Sequence, residues 1–176
     1  MTSVRLPDGF SIAPLNKSHK RHSFFSGEEA VDQWLKKSAR QAEAKRLSVT
    51  RVLLSESDNI AGYYTLAMGQ VNFGDLPHSL SRRLPKTLLP IITLAWLGLS
   101  QSYQGRGLGG RLLAQALADC HRAGQAMPFV AVLLDCLGPK AKSFYRHYDF
   151  EELPGHPMKL VLPWALLDSM MKPGKR

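Results

Sequence analysis

Apolar residues recur at two periods along this chain, and the switches between them mark its elements. Phe10 to Leu15 reads as a first strand, closed near Pro14. Ala30, Val31, Trp34, Leu35, Ala39 and Ala42 then follow helical spacing, with Lys36, Lys37, Arg40 and Lys45 opposite. Ser26-Gly27-Glu28-Glu29 before them has the S-x-x-E form of a capping box. Ser48 to Leu54 and Ile60 to Val71 are β-rich and flank Ser57-Asp58-Asn59, which predicts an antiparallel hairpin. Asp75 to Lys86 is polar and reads as a short helix or loop.

Ile91 to Leu99 is almost continuously apolar, as a buried central strand requires. Leu108, Leu112, Leu113, Ala116, Leu117 and Cys120 form one helical stripe after it. Phe129 to Leu134 predicts a second buried strand ending at Asp135. Lys140 to Tyr148 predicts a helix, Met158 to Leu162 a last strand, and Trp164 to Met171 a short helix with Pro163 at its start. Residues 172–176 read as a frayed tail. The order implies an α/β (α+β) fold, a mixed central sheet with helices on both faces. The length of 176 residues fits a single domain spanning 1–176.

Between the apolar strand and the long helix stands Gln104-Gly105-Arg106-Gly107-Leu108-Gly109-Gly110. A strand, a glycine-rich turn and a helix start make a phosphate cradle. Glycines let backbone approach closely, and the first helical turn offers unpaired N–H groups with partial positive charge. Gly105-x-Gly107-x-x-Gly110 matches the dinucleotide fingerprint, but that motif belongs to the first strand–turn–helix of its fold, and here it falls past the middle. No Gly-Lys-Ser/Thr follows, which excludes a P-loop.

Composition narrows the partners. The formal net charge is +9, which favours anionic ones. Cys120 and Cys136 form no C-x-x-C pair and read as buried small hydrophobes. The histidines lack metal-ligand spacing, so no metal is expected. No apolar run is long enough for a bilayer, and Arg5 and Asp8 break any N-terminal apolar core, so a cytoplasmic location is expected.

Read as Gln104-x-x-Gly107-x-Gly109, the turn resembles the coenzyme-A loop of the GNAT (Gcn5-related) acetyltransferases. Ala141-Lys142-Ser143-Phe144-Tyr145-Arg146-His147-Tyr148-Asp149-Phe150 resembles that family's A-x-x-F-Y-x-x-x-G-F segment. Further features resemble its type II toxins. They are Phe25-Ser26-Gly27-Glu28 before Asp32-Gln33-Trp34-Leu35, Gly62-Tyr63-Tyr64-Thr65-Leu66, Arg82-Arg83 with Pro85 and Pro90, and Leu97-Gly98-Leu99. The resemblance implies acetyl-CoA as donor, pantetheine pairing at Leu97, Gly98 and Leu99, and pyrophosphate at Gln104, Gly105, Arg106, Gly107, Leu108, Gly109 and Gly110. It implies Tyr145 as general acid for the leaving thiolate. It also implies aminoacyl-tRNA as acceptor, a ribbon-helix-helix antitoxin as partner, and homodimers, which are common among these toxins. Candidate tRNA contacts are Lys36, Lys37, Arg40, Arg82, Arg83, Lys142 and Arg146. Two other readings stand beside this one: a GNAT enzyme for a small amine or a protein N-terminus, and a non-catalytic acetyl-CoA-binding module. The chain departs from the toxin pattern at Trp96, where an arginine is usual, at Asp149 in place of glycine, and at Gly138 in place of asparagine.

Overall fold

The computed structural model describes residues 4–173. Its strands are β1 (Ser11–Pro14), β2 (Val49–Leu54), β3 (Ile60–Asn72), β4 (Leu88–Leu99), β5 (Ala131–Asp135), β6 (Glu151–Leu153) and β7 (His156–Pro163). Its helices are α1 (Glu29–Gln33), α2 (Ala39–Ala44), α3 (His78–Ser81), α4 (Leu108–Ala126), α5 (Pro139–His147) and α6 (Trp164–Met171). The strands form one mixed sheet in the order β1-β2-β3-β4-β5-β7-β6. The β4–β5 ladder is parallel, and the other ladders described below are antiparallel. The chain divides into two compact units, one of residues up to Ala67 with Leu94–Asp119, the other of Met68–Thr93 with the residues from Cys120 on.

In the first unit β1, β2 and β3 pair antiparallel, with Thr50 opposite Thr65. Successive strand residues point to opposite faces, and Tyr63 and Tyr64 use this to bind two helices. The Tyr63 hydroxyl donates to the Val31 carbonyl at 2.6 Å, next to α1 residue Asp32. The Tyr64 hydroxyl donates to Asp119 on α4 at 2.5 Å. Helices therefore cover both faces of β3, as the sequence pattern predicts. Burial pushes the Tyr63 phenol well up from its ordinary value, and the nearby Asp32 carboxylate adds to the shift, so it stays a donor.

The first helix is not continuous. Trp34–Ser38 winds as a π-helix between α1 and α2. Nor is the predicted capping box present, because Glu28 holds the N-cap without a side-chain bond. Ser26 instead reaches the buried Asp32. Its N–H and hydroxyl both donate to Asp32 Oδ1, at 2.9 and 2.6 Å, and its oxygen accepts the Glu28 N–H at 3.1 Å. Gly27, at φ +93°, turns the chain away from the box geometry.

In the second unit β7 lies between β5 and β6, antiparallel to both. The hydrophobic pattern did not predict β6, since Glu151 and Glu152 are exposed. Its hairpin turn, Pro154-Gly155 with Gly155 at φ +75°, follows from the Pro-Gly pair. Pro163 ends β7 and is the N-cap of α6, which spans Trp164–Met171 as the sequence predicts. The long helix runs past Cys120 because its packing continues. A Cβ on Gly124 would lie 2.2 Å from the Trp164 ring, so glycine lets α6 press on α4. Trp164 also stacks on His121, with centroids 5.0 Å apart. Residues 174–176 of the expected tail lie outside the described residues.

Candidate active site

The glycine turn lies in the first unit and is built to expose backbone. Gly105 and Gly107 sit at φ +75° and +74°, a region that costs a side-chain-bearing residue about 1–2 kcal/mol. A Cβ on either would meet nothing within 4 Å, so glycine is required by conformation and the space above is open. Gly105, Arg106 and Gly107 are exposed, and Leu108 alone is anchored, at 2% exposure. Gly109 and Gly110 lie in the first turn of α4, which carries no acid. The positive end of a 19-residue helix is thus left for an external anion. The Arg106 guanidinium lies over the Tyr103 ring at 5.7 Å, and Tyr103 meets Phe10 edge-on at 5.9 Å.

Gln104 holds this turn through its side chain. Its Nε2 donates to the carbonyls of Ser26 and Leu99, both at 2.9 Å. The Gln101 N–H donates to the Phe25 carbonyl at 2.7 Å, and the Ser100 hydroxyl donates to the same oxygen at 3.2 Å. The Phe25-Ser26-Gly27 segment is therefore the clamp of the glycine turn. Sequence reading missed Ser100 and Gln101 in this role, because their shared partner, Phe25, lies 75 residues from Ser100 and leaves no local pattern.

Leu97 and Leu99 are half-buried at the end of β4, and Gly98 between them is buried. A Cβ on Gly98 would lie 2.5 Å from Val31 Cγ1, so only glycine lets β4 pass so close to α1. Trp96 is half-buried and stacks on Trp34, with centroids 5.4 Å and planes 15° apart. Trp34 Nε1 donates to Thr65 Oγ1 at 3.1 Å, which pairs with Thr50 Oγ1 at 2.8 Å. The Trp96 ring is thus fixed by packing and by a buried hydroxyl pair.

Tyr145 lies in the second unit on α5, at 8% exposure. Its ring meets Phe144 at 5.1 Å and Phe150 at 5.7 Å, both edge-on. Its hydroxyl has no hydrogen-bond partner among the described residues. Burial pushes its pKa far up, with the neighbouring Cys136 adding to the shift, so the phenol keeps its proton. Asp149 stands at φ +65°, the left-handed geometry for which glycine is usual and which Asp tolerates better than most residues. It ends the turn that carries the Phe150 ring under Tyr145. Gly138 is extended, at φ 178°, with open space at its Cβ position.

The basic candidates separate by their pairing. Arg82 and Arg83 are exposed after α3, with no ion pair among the described residues. Lys37 and Arg40 are exposed and Lys36 is half-buried. Lys142 and Arg146 both meet Glu152, at 2.6 and 3.5 Å. Lys142's hydrogen bond is the main reason the Glu152 carboxyl lies below its usual range.

Known proteins resemble this chain in sequence and fold. The acetyltransferase (GNAT) domain model matches residues 50–152. A tRNA-acetylating toxin of Mycobacterium tuberculosis is 36% identical over 140 residues, covering 80% of this chain and 83% of its own. The probable toxin TacT of Sinorhizobium fredii is 31% identical over 170 residues, covering 91% and 94%. The crystal structure of AtaTR bound with AcCoA superposes with a TM-score of 0.83 at 25% identity, covering 94% of this chain and 100% of that one. The fold, the glycine turn and these matches agree: the chain belongs to the GNAT acetyltransferase family.

Proposed function

We propose that this protein transfers the acetyl group of acetyl-CoA to the α-amino group of an aminoacyl-tRNA, as the toxin of a type II toxin–antitoxin pair. The observation that carries this reading is the 36% identity to a tRNA-acetylating toxin over 80% of the chain. The open, acid-free glycine turn at 104–110 supports the donor half of it.

Acetyl-CoA supplies an activated thioester, and the chain's own groups do the rest. The amides of residues 105–110 and the α4 N-terminus bind pyrophosphate, with Arg106 adding charge. Leu97, Gly98 and Leu99 offer backbone groups to the pantetheine arm, and the amide near Leu97 serves the oxyanion. Tyr145 donates its proton to the leaving thiolate. A strong base is not needed, because an α-amino group titrates near ~8 and is partly neutral at physiological pH.

Arg82 and Arg83 are the favoured tRNA contacts, since their charge is unspent within the protein. Replacing both with alanine lowers the salt slope of tRNA binding by about 2 and weakens binding at low salt. An unchanged slope overturns that assignment. The same reading carries a cytoplasmic location, a ribbon-helix-helix antitoxin with an acidic tail suited to the +9 charge, and assembly as a homodimer.

The test is mass spectrometry of aminoacyl-tRNA pools incubated with the protein and acetyl-CoA. N-acetylated aminoacyl ends are expected. Acetylation of a small amine or a peptide N-terminus, with none on tRNA, overturns the reading.

A further inference from the structure

No step above uses the buried carboxylate of Asp32, on α1. It is 5% exposed, and no ion pair holds it among the described residues. A carboxylate taken out of water is retained where hydrogen bonds replace the water. The side chain of Asp32 accepts two, both from Ser26. The Ser26 N–H and hydroxyl converge on Asp32 Oδ1 at 2.9 and 2.6 Å. Bonds to an ionised acceptor are shorter and stronger than neutral ones, and the hydroxyl bond has the length expected of one.

Ser26 is gripped from the other side by the stem of the glycine turn. Its carbonyl accepts Gln104 Nε2 at 2.9 Å, and the second hydrogen of that amide goes to the Leu99 carbonyl, also at 2.9 Å. Gln104 thereby ties the Ser26 segment to the end of β4, directly before Gly105. The neighbouring residues pack on the same stem. The Phe25 carbonyl accepts the Gln101 N–H at 2.7 Å. A Cβ on Gly27 would lie 2.6 Å from Gln101 Nε2. Asp32 is thus the charged inner end of a line of bonds that runs through Ser26 to Gln104, all within the first unit.

The turn itself is exposed, so the aim of its amides depends on what holds its stem. We propose that Asp32 is a positioning residue for donor binding: through Ser26 and Gln104 it fixes the stem of the 104–110 turn in advance of acetyl-CoA. It acts on the donor through other residues and takes no part in proton transfer. The inference rests on the turn as the donor site.

Asp32→Asn tests it, because the side chain keeps its shape and loses its charge. Acetyl-CoA affinity, measured by calorimetry, is expected to fall about fivefold or more. In turnover, KM for acetyl-CoA should rise by the same factor, with kcat at saturating donor within about twofold of the unaltered protein. Thr50→Val is the control. It removes a buried hydroxyl bond of the same unit that is not in this line, and its affinity should not change. An Asp32→Asn protein that unfolds more easily but binds acetyl-CoA as tightly as before overturns the inference. In the Gln104→Ala background, Asp32→Asn should weaken binding by less than it does alone, because the line is already cut. Losses that simply multiply overturn it. If Asp32→Asn does not fold, Ser26→Ala keeps the carboxylate and removes one of its two bonds. A loss of about twofold or more is expected there, and unchanged affinity overturns the inference. Calorimetry needs no acceptor, so these outcomes stand apart from the tRNA reading. Valine at both Gly105 and Gly107 probes the turn directly. Unchanged affinity in that variant defeats the donor-site reading and this inference with it, whereas a loss there and none in Asp32→Asn overturns this inference alone.

Discussion

The turn at 104–110 and the helix that carries Tyr145 solve opposite problems by opposite means. The turn is exposed, almost without side chains, and held from behind by Gln104, Ser100 and Phe25. The helix buries Tyr145, the proposed proton donor, in an aromatic nest of Phe144 and Phe150. A phosphate is recognised by many weak backbone donors that must stand open to solvent. A proton must be kept on its donor until the leaving group needs it, and desolvation does that. In the proposed mechanism, binding of the donor and handling of the proton are therefore separable, and substitutions are expected to affect them independently.

The largest effect on binding is expected at the turn. Gly105→Val with Gly107→Val forces two side-chain-bearing residues into left-handed backbone, about 2–4 kcal/mol in all. That corresponds to roughly 30- to 1,000-fold weaker acetyl-CoA binding, measured by calorimetry. A double variant that binds as tightly as before would show that the donor is not read through this backbone. A smaller effect, on stability, is expected at Gly98. Gly98→Ala drives a methyl into the buried, β-branched Val31 and costs about 1–3 kcal/mol in denaturant unfolding. An unchanged midpoint would mean that β4 and α1 can separate there freely. The smallest lies at Asp149. Asp149→Gly relieves the left-handed residue but frees the unfolded chain, for a net change within about 1 kcal/mol. A loss well beyond that would give the Asp149 side chain a role that its backbone conformation does not explain.

The same contrast explains what could be read from the sequence. Backbone recognition needs glycine, and glycine is visible, so the turn at 104–110 was legible at once. Periodicity placed the strands and long helices, because burial on one face leaves its mark residue by residue. Tyr145 was singled out only through a family motif, since a phenol that donates a proton and a phenol that packs a core look alike in sequence. Contacts distant in sequence were not legible at all. The Ser26–Asp32 bond displaced a capping box that Ser26 and Glu29 spelled correctly. The Trp34–Trp96 stack gives Trp96 a packing role that its place in the sequence did not show. The strand β6 escaped because two exposed glutamates carry no apolar signature. Lys142 and Arg146 looked like free cations until Glu152 appeared beside them.

The separation of donor binding from proton transfer is tested most directly by Tyr145→Phe, with acetyl-CoA affinity and acetyl transfer measured on the same sample. The phenol ring is kept, so the packing with Phe144 and Phe150 survives and affinity should match that of the unaltered protein. Turnover should fall by about 10²-fold or more, the usual scale of general acid catalysis. Full turnover, or a loss of affinity as large as the loss of turnover, would contradict the account.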